Sequence, residues 1–530
     1  MPQTISAQAP AYKPRLIRRV VLVAAVVLVL AVTLLVLFWP FSRKAVVGEL
    51  EDTSLSEVTV GAYHVTYFPH PGCVLEHVTF QHNAKPGSPP LITVESVRIE
   101  GSYAGLLARH VKVVRADGVH ILVPPPNTEN FRVNPRVTVV VDELIADGAI
   151  LEVSRRESPP LKFSFHNFTI SNVGASGPAT FHAKFSNPEP PGEISANGNF
   201  GPWNESQIGK TKVSGEYALE QANLGVFPGI AGILSSSGKF TGELDHIEVQ
   251  GTTDTPKFTV TYSSHKVDLQ TQFNAEVNGE NGDTLLQHVA ATFWKTTVWS
   301  KVGVEGKNGK PGKTVSAEIA VKDGRIQDIL RLFAQAEQAP MSGVTGFCAK
   351  VSIPPGRRPF LKKVELEGDF GVDAGTFSNL ATQQGVNHLS QGARGEPQVE
   401  AKNEGTALSD LKGHVVLKDG TANLSNLSFT VPGASAHMHG TYDLIGEKID
   451  LHGTLKTDSS PSKTSSGAKA MILKVLQPFF KKKPAGYEMP VKITGTYEHP
   501  SFGLDIGNGG DKKRQHKNWQ TLGLPAPPPQ

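Results

Sequence analysis

The sequence predicts a mainly β protein: a long series of antiparallel strands behind one N-terminal transmembrane helix, with a few short helices between them. Three observations carry this. An uninterrupted apolar run lies near the N-terminus, apolar residues alternate with period two through most of the remaining chain, and turn formers are abundant, with 52 Gly and 38 Pro in 530 residues. With 39% hydrophobic and 19% charged residues, the chain has enough apolar material to bury a core.

The first element is the apolar run VVLVAAVVLVLAVTLLVLFW, Val20 to Trp39, which holds no charge. At 1.5 Å per residue it reaches about 30 Å, the thickness of a bilayer's hydrocarbon. It is longer than the apolar part of a signal peptide, and Trp39-Pro40-Phe41 follows instead of a small-residue cleavage site. Val20, Leu28 and Leu35 are expected in the membrane, with Trp39 at the headgroup level. Lys13, Arg15, Arg18 and Arg19 precede the run, whereas Arg43 and Lys44 are soon diluted by Glu49, Glu51 and Asp52. That bias places residues 1–19 in the cytoplasm and everything after Arg43 outside it, in the periplasm if the chain is bacterial.

Beyond the anchor, strict alternation marks half-buried strands at Phe163 and Phe165, Phe181 to Phe185, Phe258 to Tyr262, Val267 to Val277 and Val315 to Val321. Asp117-Gly118, Asp147-Gly148, Asn278-Gly279 and Asp419-Gly420 supply turn signals between strands. A loose repeat accompanies them. GKFTGELDHIEVQGT from Gly238, GTYDLIGEKIDLHGT from Gly440 and GTYEHPSFGLDIG from Gly495 each read Gly-x-aromatic, a turn, then an alternating strand. A stack of hairpins fits this better than several unrelated globules.

Two helices are expected among the strands. Within 321–340, Ile326, Ile329, Leu330 and Phe333 stand at helical spacing, with Asp323 as the expected N-cap. The segment 467–483, GAKAMILKVLQPFFKKK, is basic and apolar. It fits either an anionic membrane surface, through Lys474, Phe479, Phe480 and Lys481, or packing with a solvated lysine end. The β regions are thus bounded at 45–320 and 341–507, and the polar, Pro-rich composition of 508–530 predicts disorder.

Several chemistries find no footing. A formal charge of +3, with scattered basic residues, argues against nucleic-acid binding. No phosphate-binding loop, nucleophile elbow, zinc-protease helix or dinucleotide fingerprint is present, so no enzyme activity and no cofactor are expected. His64, His70, His77 and His82 cluster in sequence and His437 and His439 alternate on one strand, but none matches zinc spacing; a solvated strand face explains the latter pair. Asp369, Asp373 and Asp443, within three residues of glycines, read as turn formers. Two cysteines, Cys73 and Cys348, exclude a disulfide framework; one long-range bridge stays open beside the reading as two buried thiols.

GAYHVTYFPHPGCVLEHVTF (Gly61 to Phe80) and VRIEGSYAGLLARHVKVVRADGVHILV (Val97 to Val123), together with the anchor, resemble the membrane-proximal region of the AsmA family of envelope proteins, which includes the larger TamB-like members. LSDLKGHVVLKDGTANLSNLSFTVPGASAHMHGTYDLIGEKIDLHGTL (Leu408 to Leu455) resembles that family's C-terminal region. The resemblance implies an elongated β-groove anchored in the inner membrane, associated with phospholipid transfer, outer-membrane biogenesis and envelope integrity. Some 30 strands at nearly 5 Å each would reach on the order of 140 Å.

A sheet with one apolar face must bury it against a second layer or curl and leave a channel for acyl chains. If it is a channel, the expected lining is Phe163, Phe165, Phe181, Phe258, Val267, Leu269, Phe273, Leu451 and Leu455; if not, these residues fill a closed core. The competing expectation is a scaffold whose partners are outer-membrane assembly proteins.

Overall fold

A computed structural model describes residues 39–81, 90–105, 110–123, 139–154, 159–174, 177–204, 207–263, 265–279, 281–306, 312–333, 337–356, 358–380, 408–457, 486–496 and 499–505, with shorter stretches at 382–384, 386–387, 390 and 481–483. The fold is mainly β. The chain divides into two compact units, the first ending at Val153 but including Phe165–Phe181, the second made of Ser154–Ser164 and the chain from His182 onward. Of the expected anchor only Trp39 is described, so Val20, Leu28 and Leu35 lie outside the described residues. Among the described residues no helix is long and apolar enough to cross a membrane.

The first unit opens with a helix that the alternation did not announce. In α1 (Arg43–Ser54) the Ser42 hydroxyl caps the start, accepting from the Ala45 amide at 3.4 Å, and Val46 is buried. Strands β1 (Glu57–Thr66), β2 (Gly72–Gln81) and β3 (Ile92–Gly101) come next as antiparallel neighbours. After them, β4 (His110–Asp117) and β5 (His120–Val123) run end to end along β3. Beside them β6 (Val140–Ile145) and β7 (Ile150–Val153) are parallel, and β8 (Leu161–Val173), which the division crosses at Ser164, returns antiparallel to β6. The parallel pairs correct the expectation of a purely antiparallel sheet. Asp117-Gly118 and Asp147-Gly148, whose glycines have positive φ, kink these two strands at matching places instead of reversing the chain. The pairs Arg115–Asp147 (3.9 Å) and His120–Glu152 (3.1 Å) bridge the parallel strands. Trp39, Phe41, Val58, Val60, Leu75 and Val78 lie in the core of this unit.

In the second unit the strands are the end of β9 (Ala179–Pro188), which the division crosses, then β10 (Pro191–Phe200), β11 (Lys212–Asn223), β12 (Ile230–Ala231) and β13 (Ile233–Glu243). They continue as β14 (His246–Val260), β15 (Lys266–Val277), β16 (Thr284–Phe293), β17 (Thr296–Gly306), β18 (Lys313–Arg325) and β19 (Met341–Ile353). The series ends with β20 (Glu365–Phe377), β21 (Ser409–Lys418), β22 (Thr421–Val431), β23 (Ala434–Asp443), β24 (Lys448–Thr457), β25 (Lys481–Lys483), β26 (Gly486–Thr496) and β27 (Pro500–Leu504). From β10 onward every long strand pairs antiparallel with its neighbours in the chain, β11 with β13 and β24 with β26 across the two short pieces. The hairpin at Asp419-Gly420 has positive φ at both central residues, as a type I′ turn requires.

Helix α2 (Ile326–Phe333) is shorter than the expected 321–340 element. Asp323 does not cap it: it lies inside β18 with a φ of 55°, at a break in the register with β19. Lys481–Lys483, expected at the end of a basic helix, is strand β25 and pairs with β26; Lys474, Phe479 and Phe480 lie outside the described residues. Both cysteines are free, Cys73 buried as expected and Cys348 exposed against expectation.

The second unit's sheet coils. Tyr262, in the turn between β14 and β15, donates to the Leu444 carbonyl at 3.2 Å, in the turn between β23 and β24. These turns stand nine strand steps apart, more than about 40 Å in a flat sheet. A right-handed twist of about 20–25° per step turns the strand direction through roughly half a revolution over that span. Only a sheet that curls as well as twists can close that distance and bring opposite ends of the two hairpins together, and burial together with the Glu447 carboxylate raises the Tyr262 phenol pKa.

Candidate functional site

The feature that sets this unit apart is one face of its sheet. Alternation puts every second side chain on that face, and the pairing register decides whether the apolar sets of successive strands line up. They do. Following directly paired residues from β11, the row runs Tyr217, Gly238, Gly251, Phe273, Val289, Ser300, Ile319 and Ala349. It continues through Gly368, Val415, Leu424, Gly440, Leu451 and Ile493 on β26. Ser300 is its one hydroxyl besides the Tyr217 phenol. Bulges in β14, β16 and β22 break the pairing locally without moving the apolar set to the other face.

Glycines of this face serve the aromatic rings. A Cβ on Gly251 would come 2.7 Å from Tyr217 Oη and 2.9 Å from Phe273 Cζ, and one on Gly215 would come 2.7 Å from Phe240 Cζ. A Cβ on Gly413 would stand 3.0 Å from Phe370 Cζ. Each ring lies across the bare backbone of a neighbouring strand, which gives the Gly-x-aromatic repeat its physical meaning.

At three places the face is sealed. Where β14 to β17 end, Val260, Val267 and Phe293 pack under Leu332 of α2, with Phe258, Leu269 and Ile329 around them. Where β21 to β26 end, Leu427, Met438, Leu455 and Met489 pack with Val386, from the segment after β20. A third cluster joins Val364, Leu417 and Ala422 to Phe360 of α3 (Phe360–Lys363). Away from these seals the face stays half-open: Tyr217, Phe240, Phe273, Val289, Ile319 and Leu424 are each only partly buried.

The sequence-predicted lining residues therefore divide. Phe273 lies on the half-open stretch. Val267, 3% exposed, and Leu455, 5% exposed, are core and line nothing. Phe258 and Leu269 pack against the same cluster as Val267, and Leu451 against that of Leu455. Phe165 and Phe181 belong to the first unit, where Phe165 meets Phe168 edge-on at 5.5 Å. Phe163, in the second unit, meets Phe185 edge-on at 6.3 Å. The alternation missed Tyr217, Phe240 and Phe370, although the glycine two residues before Phe240 and Phe370 was a readable signal.

The opposite face is polar. Glu216 pairs with Lys239 at 3.0 Å, His414 with Asp369 at 2.9 Å, and His437 and His439 are exposed, as a solvated face predicts. Asp369 is thus a strand residue and not a turn former, whereas Asp443 does form a turn: amides of Gly446 and Ile445 hold its carboxyl below the usual range. A cleft of about 670 Å³ is lined by His288, Trp299, Lys301, Glu318, Asp369 and His414 of the polar face together with Val289, Ser300 and Ile319 of the apolar row. On β24, His452 reaches Asp505 and Asp450, both at 3.0 Å, and these carboxylates raise its pKa, the Asp505 bond foremost. Among the described residues no group of three or more His, Cys, Asp or Glu is placed to hold a metal ion.

No family model matches the chain, and no curated protein and no solved structure matches it.

Proposed function

We propose that this chain is an AsmA-like, non-enzymatic protein, anchored in the inner membrane with its body in the periplasm, that binds or transfers phospholipid along the apolar face of the second unit in outer-membrane biogenesis. One observation carries the reading: the register keeps a single apolar face continuous from β11 to β26, and its side chains are half-buried over long stretches. A sandwich would bury that face under a second sheet. Here, helix α2 and the segment around Val386 cover parts of it near the strand ends. The coil that brings Tyr262 to Leu444 favours a groove over a flat sheet.

Acyl chains suit such a surface because they require apolar area and few directed bonds, each CH₂ taken from water being worth about 0.8 kcal/mol. The test is a photo-crosslinking amino acid placed in the full chain in membranes, at Phe273 or Ile319 on the apolar face and at Gln272 on the polar one. Phospholipid adducts at the first two positions and not the third are expected. Equal or absent labelling on both faces would overturn the proposal, and capture of an assembly protein in place of lipid would favour the scaffold reading.

A further inference from the structure

The apolar run that ends at Trp39 has no slack behind it. Trp39 and Phe41 are each 5% exposed and belong to the core of the first unit, so the segment's last residue is already part of the folded body. Against this junction stand two loops that carry the most exposed aromatic rings among the unit's described residues. The loop between β1 and β2 presents Tyr67 at 56% exposure and Phe68 at 82%, and the loop after β3 presents Tyr103 at 51%. The Tyr67 ring packs on Trp39 with centroids 5.1 Å apart, and the Tyr103 hydroxyl donates to the Tyr67 carbonyl. Gly101, whose Cβ would come 2.7 Å from Phe41 Cζ, lets that residue's ring pass between β3 and the chain entering α1.

Both loops thus emerge at the same end of the sheet, since Thr66 pairs with Gly72 and Gly72 with Glu100. Exposed Tyr and Phe are costly in water but suit the headgroup boundary, where the ring meets acyl chains and the hydroxyl meets water. Lys44, exposed three residues beyond Phe41, adds a positive charge at the same place.

We infer that the first unit docks directly on the bilayer surface, with Tyr67, Phe68 and Tyr103 inserted among the lipid headgroups beside the anchor. This rests on the reading of residues 20–39 as a bilayer anchor. The occupant is the anchor's own membrane, because a body joined to the segment without a linker holds these rings at the height where the segment leaves the hydrocarbon.

The test uses the full chain carrying Cys348→Ser, which removes the exposed thiol and leaves Cys73 buried. An environment-sensitive dye is attached at Phe68→Cys, at Tyr103→Cys or, as the anchor reporter, at Leu35→Cys. The protein is reconstituted in phosphatidylethanolamine–phosphatidylglycerol vesicles, some of whose lipids carry a nitroxide on the headgroup. The dye at 68 and 103 is expected to shift to shorter wavelength, to be quenched by the nitroxide and to lose several-fold in quenching by aqueous iodide. If the dye at 35 is shielded while those at 68 and 103 stay open to iodide, the docking inference is overturned and the anchor stands. If all three are open to iodide, the anchor reading fails and the inference falls with it.

Discussion

Gly251 illustrates how single residues set this sheet. Valine is ordinarily at home in a strand, so propensity alone predicts a gain from Gly251→Val. The space between Tyr217 Oη and Phe273 Cζ predicts the reverse, a loss of about 1–3 kcal/mol from overpacking. Denaturant unfolding should show the lower midpoint, and adding Tyr217→Ala should recover part of it. Asp328 is the polar counterpart. It is buried in α2, and its carboxylate accepts from Thr296 Oγ1 at 2.8 Å and from the Lys295 amide at 3.1 Å. Asp328→Ala leaves both donors without that acceptor and should cost about 1–3 kcal/mol, read as a lower melting temperature. The glycine effect was legible in the sequence as a repeat. The role of Asp328 was not, because its partners lie 32 and 33 residues away and nothing local marks them.

Among the elements, the last strands carry a pH dependence. His452 ties β24 to Asp505 just beyond β27, with His439 opposite it on β23 and Lys492 opposite on β26. Its pKa is raised in the fold, so the stabilisation is fully present below the unfolded imidazole value of about 6.5 and is lost as pH climbs through the raised value. Amides of β27 should accordingly exchange more slowly at mildly acidic than at alkaline pH, after correction for intrinsic rates. His452→Gln should remove the difference. Which segments would be strands was largely legible, because alternation is a local property that burial of one face enforces. The misjudged elements are those where local pattern and pairing part company. The acid at Asp323 looked like a cap but occupies a strand irregularity, and Lys481–Lys483 extends a basic apolar run yet pairs as a strand. Helix α1 escaped because its amphipathicity is weak.

For the whole molecule, the second unit's sheet offers a direct separation of fold from function. Because Ile319 is half-buried on the apolar row, Ile319→Glu should leave the far-ultraviolet circular dichroism unchanged while reducing co-purified phospholipid several-fold. Loss of structure together with lipid would instead mark a closed core. The order of strands in this unit follows the chain and could be anticipated from a stack of hairpins. Its coil could not, since it sums small twists over many strands and shows itself in a hydrogen bond between residues 182 positions apart. The parallel pairs of the first unit escaped notice for a related reason: the signals at Asp117-Gly118 and Asp147-Gly148 are the same ones that close hairpins elsewhere.

The nearest-neighbour pairing that runs from β10 to β27 has a bearing on how the protein is made. Each new strand leaving the ribosome has its mate in the segment just before it. Growth can proceed in the order of synthesis, one hairpin upon the last, with loop-closure entropy kept small at every step. A nonsense truncation would then leave a shorter ribbon with a raw edge, whereas a lesion near β10 would deprive all later strands of the template on which they build.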